Sequence, residues 1–77
     1  IMKTYTIMID SIVDAKNFVN IVNTCDFDID LESGRYLVDA KSIMGIFSLD
    51  LSKPIKMHVY TENLTAFEQQ IKDFIVK

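Results

Sequence analysis

Asp39-Ala40-Lys41-Ser42-Ile43-Met44-Gly45-Ile46-Phe47-Ser48-Leu49 joins two kinds of pattern, an alternating segment over residues 35–40 and the apolar run that follows it. Ser42 stands at the junction, where a side-chain oxygen accepts a hydrogen bond from a helix N–H that has no partner within the helix. The same N–H groups favour an anion, so a phosphate on Ser42 is well placed. Behind Ser42 the run is apolar on more than one face. Ile46 and Leu49 are spaced to enter a core, and Ile43, Met44 and Phe47 form a second cluster. A short surface helix cannot bury both sides. Ile43, Met44 and Phe47, with Lys41 beside them, are therefore the expected docking patch for a partner.

Working outward, the residues before this stretch read as a hairpin. Phe27-Asp28-Ile29-Asp30-Leu31 alternates apolar with acidic residues, as a half-buried strand does. Ser33-Gly34 supplies a tight turn, and residues 35–40 return with Tyr36, Val38 and Ala40 expected on the inner side. After the Ser42 helix, Asp50-Leu51-Ser52-Lys53-Pro54 reads as a turn. Ile55, Met57 and Val59 then make one face of a strand, with Lys56, His58 and Tyr60 on the other. Closer to the start, Tyr5, Ile7 and Ile9 share a strand face. A helix capped by Asp10 or Ser11 follows, burying Ala15, Phe18, Val19 and Val22 and stopping near Asn23-Thr24. The last helix carries Leu64, Phe67, Ile71, Phe74 and Ile75 on its buried stripe, capped by Asn63 or by a Thr65–Glu68 capping box.

The order strand, helix, strand, strand, short helix, strand, helix suits a two-layer α+β sandwich with one sheet face covered by helices. The pattern by itself also fits a ferredoxin-like regulatory domain. One core is expected from Tyr5, Ile7, Phe18, Val22, Ile29, Leu31, Val38, Met57, Val59, Phe67, Ile71 and Phe74. A chain of 77 residues is long enough for one domain, residues 1–77, and its composition is that of a compact fold rather than a disordered one.

The net charge of −3 argues against nucleic acid or an anionic membrane as the main partner. No apolar stretch approaches the ~20 residues needed to cross a bilayer. Cys25 is the only cysteine, which excludes an internal disulfide and fits a reducing cytoplasm. Its acidic neighbours do nothing to activate it. Asp26, Asp28, Asp30 and Glu32 are spread along a strand and do not make the turn that encircles a calcium ion. His58, on the exposed face of its strand, reads as an ordinary surface histidine. No cofactor or metal is expected. Ile1 before Met2 is an unusual start for a natural chain.

The segment Lys41-Ser42-Ile43-Met44-Gly45, with Ser48-Leu49 following, is similar to the regulatory-serine segment of HPr, the small histidine-containing phosphocarrier of the bacterial sugar phosphotransferase system. The resemblance covers nearly the whole chain. It implies an HPr-like open-faced sandwich whose antiparallel sheet has the spatial order 1-4-2-3. It also implies phosphorylation at Ser42. One segment departs from the family. Where HPr carries its phosphoryl-accepting histidine, in a Gly-Leu/Ile-His-Ala-Arg-Pro-type segment, this chain reads Ile12-Val13-Asp14-Ala15-Lys16-Asn17. Asp14 stands at the histidine position, Lys16 at the arginine and Asn17 at the proline. Only Ala15 agrees.

The chain thus looks like the catabolite-repression HPr-like proteins, which lack the histidine and keep the serine. The expectation is a cytoplasmic, non-enzymatic regulatory or binding protein. The resemblance implies as partners a serine kinase/phosphorylase, a transcriptional regulator or a component of the phosphotransferase system. Two alternatives stand beside it: an unconventional phosphocarrier component, and a small-molecule sensor domain.

Overall fold

A computed structural model describes residues 2–76. Ile1, whose origin the sequence questioned, lies outside them. The elements in order are β1 (Met2–Ile7), α1 (Ile12–Val22), β2 (Ile29–Ser33), β3 (Tyr36–Asp39), α2 (Ile43–Phe47), β4 (Ile55–Tyr60) and α3 (Leu64–Ile71), the last followed by a 3₁₀ turn at Lys72–Phe74. The strands form one antiparallel sheet in the order β1-β4-β2-β3, and the fold is the expected α+β sandwich.

Alternation explains the sheet. Tyr5 and Ile7 on β1, Ile29 and Leu31 on β2, and Ile55, Met57 and Val59 on β4 are all buried on the face that the helices cover. Their neighbours Thr4, Asp30 and His58 lie side by side in the register on the opposite, helix-free face. Ala15, Phe18 and Val22 of α1, with Phe67 and Ile71 of α3, close the core from the helical side. Ile46 and Leu49 bring the α2 segment into it.

Four local expectations are corrected. β2 begins at Ile29, two residues later than its alternation suggests, and Phe27 packs from outside the strand against Phe67, with ring centroids 5.5 Å apart. Tyr36 is not on a buried inner side: it is 62% exposed, because β3 is the sheet edge and only Val38 and Ala40 reach the core. α3 ends at Ile71, so Phe74 and Ile75 of the expected buried stripe lie beyond the helix. Phe74 leaves the 3₁₀ turn to stack edge-on against Phe18 at 5.4 Å, and Ile75 bridges to Ile7. Finally, neither expected cap forms at α3. Asn63 makes no side-chain cap bond, and Glu68 turns away to Lys3 and Tyr5.

The hairpin between β2 and β3 turns on Gly34, whose φ of 60° lies where only glycine is at ease. It sits at the first central position of a two-residue loop, the place such turns give to glycine.

Candidate functional site

Two helix starts carry the residues singled out by the sequence. At α1, Ser11 is the cap: its hydroxyl accepts the Asp14 N–H at 3.0 Å. Asp14 thus falls in the first turn, where a carboxylate complements the free N–H groups. It borders a surface hollow of about 380 Å³ that Asp10, Asn17 and Asp73 also line. Three carboxylates share that hollow, and among the described residues no basic side chain lines it. Lys16, which the resemblance sets against the family's arginine, is exposed on α1 and is not among the residues that line it.

At α2, Ser42 is exposed and caps the helix, its hydroxyl accepting the Gly45 N–H at 3.1 Å while its carbonyl accepts Ile46 N–H at 3.1 Å. Gly45 makes this geometry possible. A Cβ there would lie 3.2 Å from the Val38 Cβ and 3.4 Å from the Ser42 Oγ, so glycine lets α2 settle closely on β3. With five residues the helix has only a slight macrodipole. What Ser42 offers an anion is a first turn of locally free N–H groups.

The apolar cluster beside Ser42 divides. Met44 is 76% exposed and Phe47 41%, whereas Ile43 is half-buried against the core. Exposed Ile12 and Val13 add apolar surface at the start of α1, an element that packs on α2; the sequence did not draw attention to them. Their apolar character at helix-start positions that need no burial was the available signal.

Lys41 does not stand beside the Ser42 hydroxyl as a free cation. Its ammonium donates to the Cys25 carbonyl at 3.0 Å, and the Asn23 amide donates to the Lys41 carbonyl at 3.3 Å and to the Val19 carbonyl at 2.9 Å. These bonds tie the residue before Ser42 to the end of α1. At half-buried Cys25, burial pushes the thiol up, with Asp26 adding to the rise against the opposing pull of Thr24 and Lys41.

His58, expected to be an ordinary surface residue, is held on both ring nitrogens. Nδ1 lies 2.9 Å from the Thr4 hydroxyl and Nε2 2.8 Å from the Glu32 carboxylate, and the side chain is only 16% exposed. Cross-strand pairing accounts for this: Thr4, His58 and Asp30 are adjacent in the register, and Glu32 is one step along the same face. Asp26, Asp28, Asp30 and Glu32 do not converge, and among the described residues no group of three or more His, Cys, Asp or Glu side chains is placed to hold a metal ion. None of the helices among the described residues is long and apolar enough to cross a membrane.

Comparison with known proteins agrees with this geometry. A family model described as the phosphotransferase-system HPr component phosphorylation site matches residues 13–75. Among solved structures, the chain is similar to HPr-C-His from Thermoanaerobacter tengcongensis, with 28% identity, coverage of 92% of this chain and 88% of that one, and a TM-score of 0.76. It is also similar to a phosphocarrier protein HPr from Bacillus anthracis strain Ames, with 25% identity, coverage of 95% and 96%, and a TM-score of 0.72. Comparison with curated proteins gives no match. Because the family model covers most of the chain and the sheet has the order the resemblance implies, this protein belongs to the HPr family of phosphocarriers of the phosphotransferase system.

Proposed function

We propose that this chain, read as one HPr-like domain over residues 1–77, is a regulatory or binding member of its family that does not relay phosphate on histidine and is not an enzyme. One observation carries the proposal. The sole histidine, His58, sits on the helix-free sheet face with both ring nitrogens engaged, while the first turn of α1 holds Asp14 in a hollow lined by three carboxylates. Forming a P–N bond needs an imidazole nitrogen with a free lone pair and surroundings that tolerate an incoming dianion. Glu32 beside one nitrogen opposes the second requirement, and the Thr4 contact occupies the other nitrogen. An acyl phosphate on Asp14 would need cations to offset its neighbours, and among the described residues the hollow's lining supplies none.

Ser42 is the proposed regulatory phosphorylation site. Its hydroxyl is exposed, and a phosphate there meets the open first turn of α2. Met44 and Phe47 then stand next to the new charge as apolar anchors, with Ile43 and Lys41 contributing from half-buried positions. The proposed partners are a serine kinase/phosphorylase and a transcriptional regulator or phosphotransferase component that reads this surface. Neither nucleic acid nor a membrane is proposed as a partner.

The test is phosphorylation with an HPr-type serine kinase and ATP, followed by binding titrations against the candidate regulator. One phosphate on Ser42 and tighter binding by the modified protein are expected. Phe47→Ala should weaken binding in both forms, and Ser42→Ala should remove only the phosphate-dependent part. Equal affinities for the two forms would leave Ser42 as a helix cap.

A further inference from the structure

The two edges of the sheet are treated differently. Beyond β1, the C-terminal segment covers the strand: Met8 N–H donates to the Phe74 carbonyl at 2.9 Å and Val76 N–H to the Thr6 carbonyl at 2.8 Å. Beyond β3 nothing pairs among the described residues. That open edge is short, with Asp39 as its one charge, but Tyr36–Asp39 holds no proline or lysine, and Tyr36 and Leu37 are 62% and 63% exposed.

The register says which groups point outward. Ala40 N–H donates to the Ile29 carbonyl at 2.9 Å, so the hydrogen-bonded pairs between β2 and β3 are 29 with 40, 31 with 38 and 33 with 36. Leu37 and Asp39 therefore turn their N–H groups away from the sheet.

The sequence of this edge is complementary to itself. In an antiparallel pairing of two copies centred on Leu37, the outward N–H and C=O of each Leu37 meet those of its counterpart. Tyr36 then falls opposite Val38, and Arg35 opposite Asp39, on both sides of the twofold axis. Arg35 is exposed and enters no ion pair among the described residues. Asp39 has an unfavourable neighbour within its own sheet, because it stands directly opposite Asp30 on the helix-free face. An arginine arriving on its other side offsets that like-charge contact.

We infer that the β3 edge, centred on Leu37 and flanked by Arg35 and Asp39, pairs with the β3 edge of a second copy to give a twofold dimer with a continuous eight-stranded antiparallel sheet. The pairing is short, so it is a concentration-dependent equilibrium rather than an obligate assembly. It adjoins the Ser42 helix, since Asp39 accepts the Lys41 N–H on its carboxylate at 2.9 Å and the Ser42 N–H on its carbonyl at 3.1 Å, but it does not depend on the regulatory proposal.

Sedimentation equilibrium of the whole chain from micromolar to millimolar concentration tests this. The weight-average mass should rise from that of a monomer toward that of a dimer. Leu37→Pro removes the outward N–H without touching a bond to β2, and should leave the protein monomeric with an unchanged circular dichroism spectrum. Arg35→Asp and Asp39→Arg each place two like-charge contacts across the axis, and each should weaken the dimer by about tenfold or more. An equimolar mixture of these two variants restores both opposite-charge contacts and should dimerise again. A wild type that stays monomeric throughout would overturn the inference and leave the edge free for a different chain. A dimer indifferent to Leu37→Pro, or a mixture that fails to recover, would overturn it equally.

Discussion

Glu68 shows how one side chain can leave a local role for a distant one. Its carboxylate accepts from Lys3 at 3.1 Å and from the Tyr5 hydroxyl, tying α3 to β1, and Lys3 also lies 5.1 Å from the Tyr5 ring centroid. The Tyr5 hydrogen bond, with help from Lys3, lowers the Glu68 carboxyl below its ordinary 4.5. Burial, and then Glu68 itself, raises the Tyr5 hydroxyl above its ordinary 10.0. A lowered carboxyl contributes stability that is present above its unfolded value and lost as pH falls through the folded one. A raised phenol contributes stability that is present below its unfolded value and lost as pH rises through the folded one. The pair therefore stabilises the fold between these limits. Denaturant titrations of wild type and Glu68→Gln should show their widest stability gap near neutral pH, narrowing as the pH drops below about 4.5. A gap of constant size down to acid pH would mean that the contact contributes through packing and not through charge.

Single residues also mark where the sequence was legible. The caps Ser11 and Ser42 were readable because a cap is a local bond, made to an N–H three residues on. His58 was not readable, since its partners Thr4 and Glu32 are 54 and 26 residues away and meet it only when the sheet assembles. The contact of Lys41 with the Cys25 carbonyl was hidden for the same reason.

At the scale of elements, β4 emerged from alternation without error because both its neighbours in the sheet are strands and one whole face is buried. Alternation misled at Phe27 and at Tyr36. Phe27 buries its ring against α3 instead of within the sheet, and Tyr36 lies on an edge that the helices do not cover. The apolar stripe of α3 was real, but its last members work through other geometry, Phe74 from a 3₁₀ turn and Ile75 from a bridge to β1. Phe67, only 3% exposed and stacked on Phe27, is the anchor of that helix. Phe67→Ala should cost about 3–5 kcal/mol, read as a large fall in the denaturant midpoint. Wild-type-like stability would contradict the packing of α3.

The seating of α2 gives a subtler prediction. Gly45→Ala improves helix propensity by up to about 1 kcal/mol, but its Cβ would press on Val38 of the sheet at 3.2 Å. Val38 is fixed by its ladder pairing with Leu31, so overpacking, typically about 1–3 kcal/mol, should win. The melting temperature should fall by a few degrees, about 2–8 °C. A rise would show that α2 can lift from β3 freely.

The whole molecule has the HPr architecture, with its acidic groups unevenly placed along the chain. Residues 1–40 carry most of the acidic groups, and those near the start of α1 face the hollow that Asp14 borders. A frame of this kind can be reused for recognition through its α2 surface without the chemistry of phosphoryl relay. Introducing a histidine by Asp14→His alone should give little transfer, because Asp10 and Asp73 remain and Lys16 lacks the planar guanidinium fork that suits phosphate.

The central claim is that this chain does not relay phosphate on histidine. Its most direct test is intact-mass measurement after incubation with phosphoenolpyruvate and the upstream phosphotransferase enzyme, with a histidine-bearing HPr in the same reaction as the positive control. An unchanged mass is expected for this protein while the control gains a phosphoryl group; an added, acid-labile phosphoryl group on this chain would overturn the proposal.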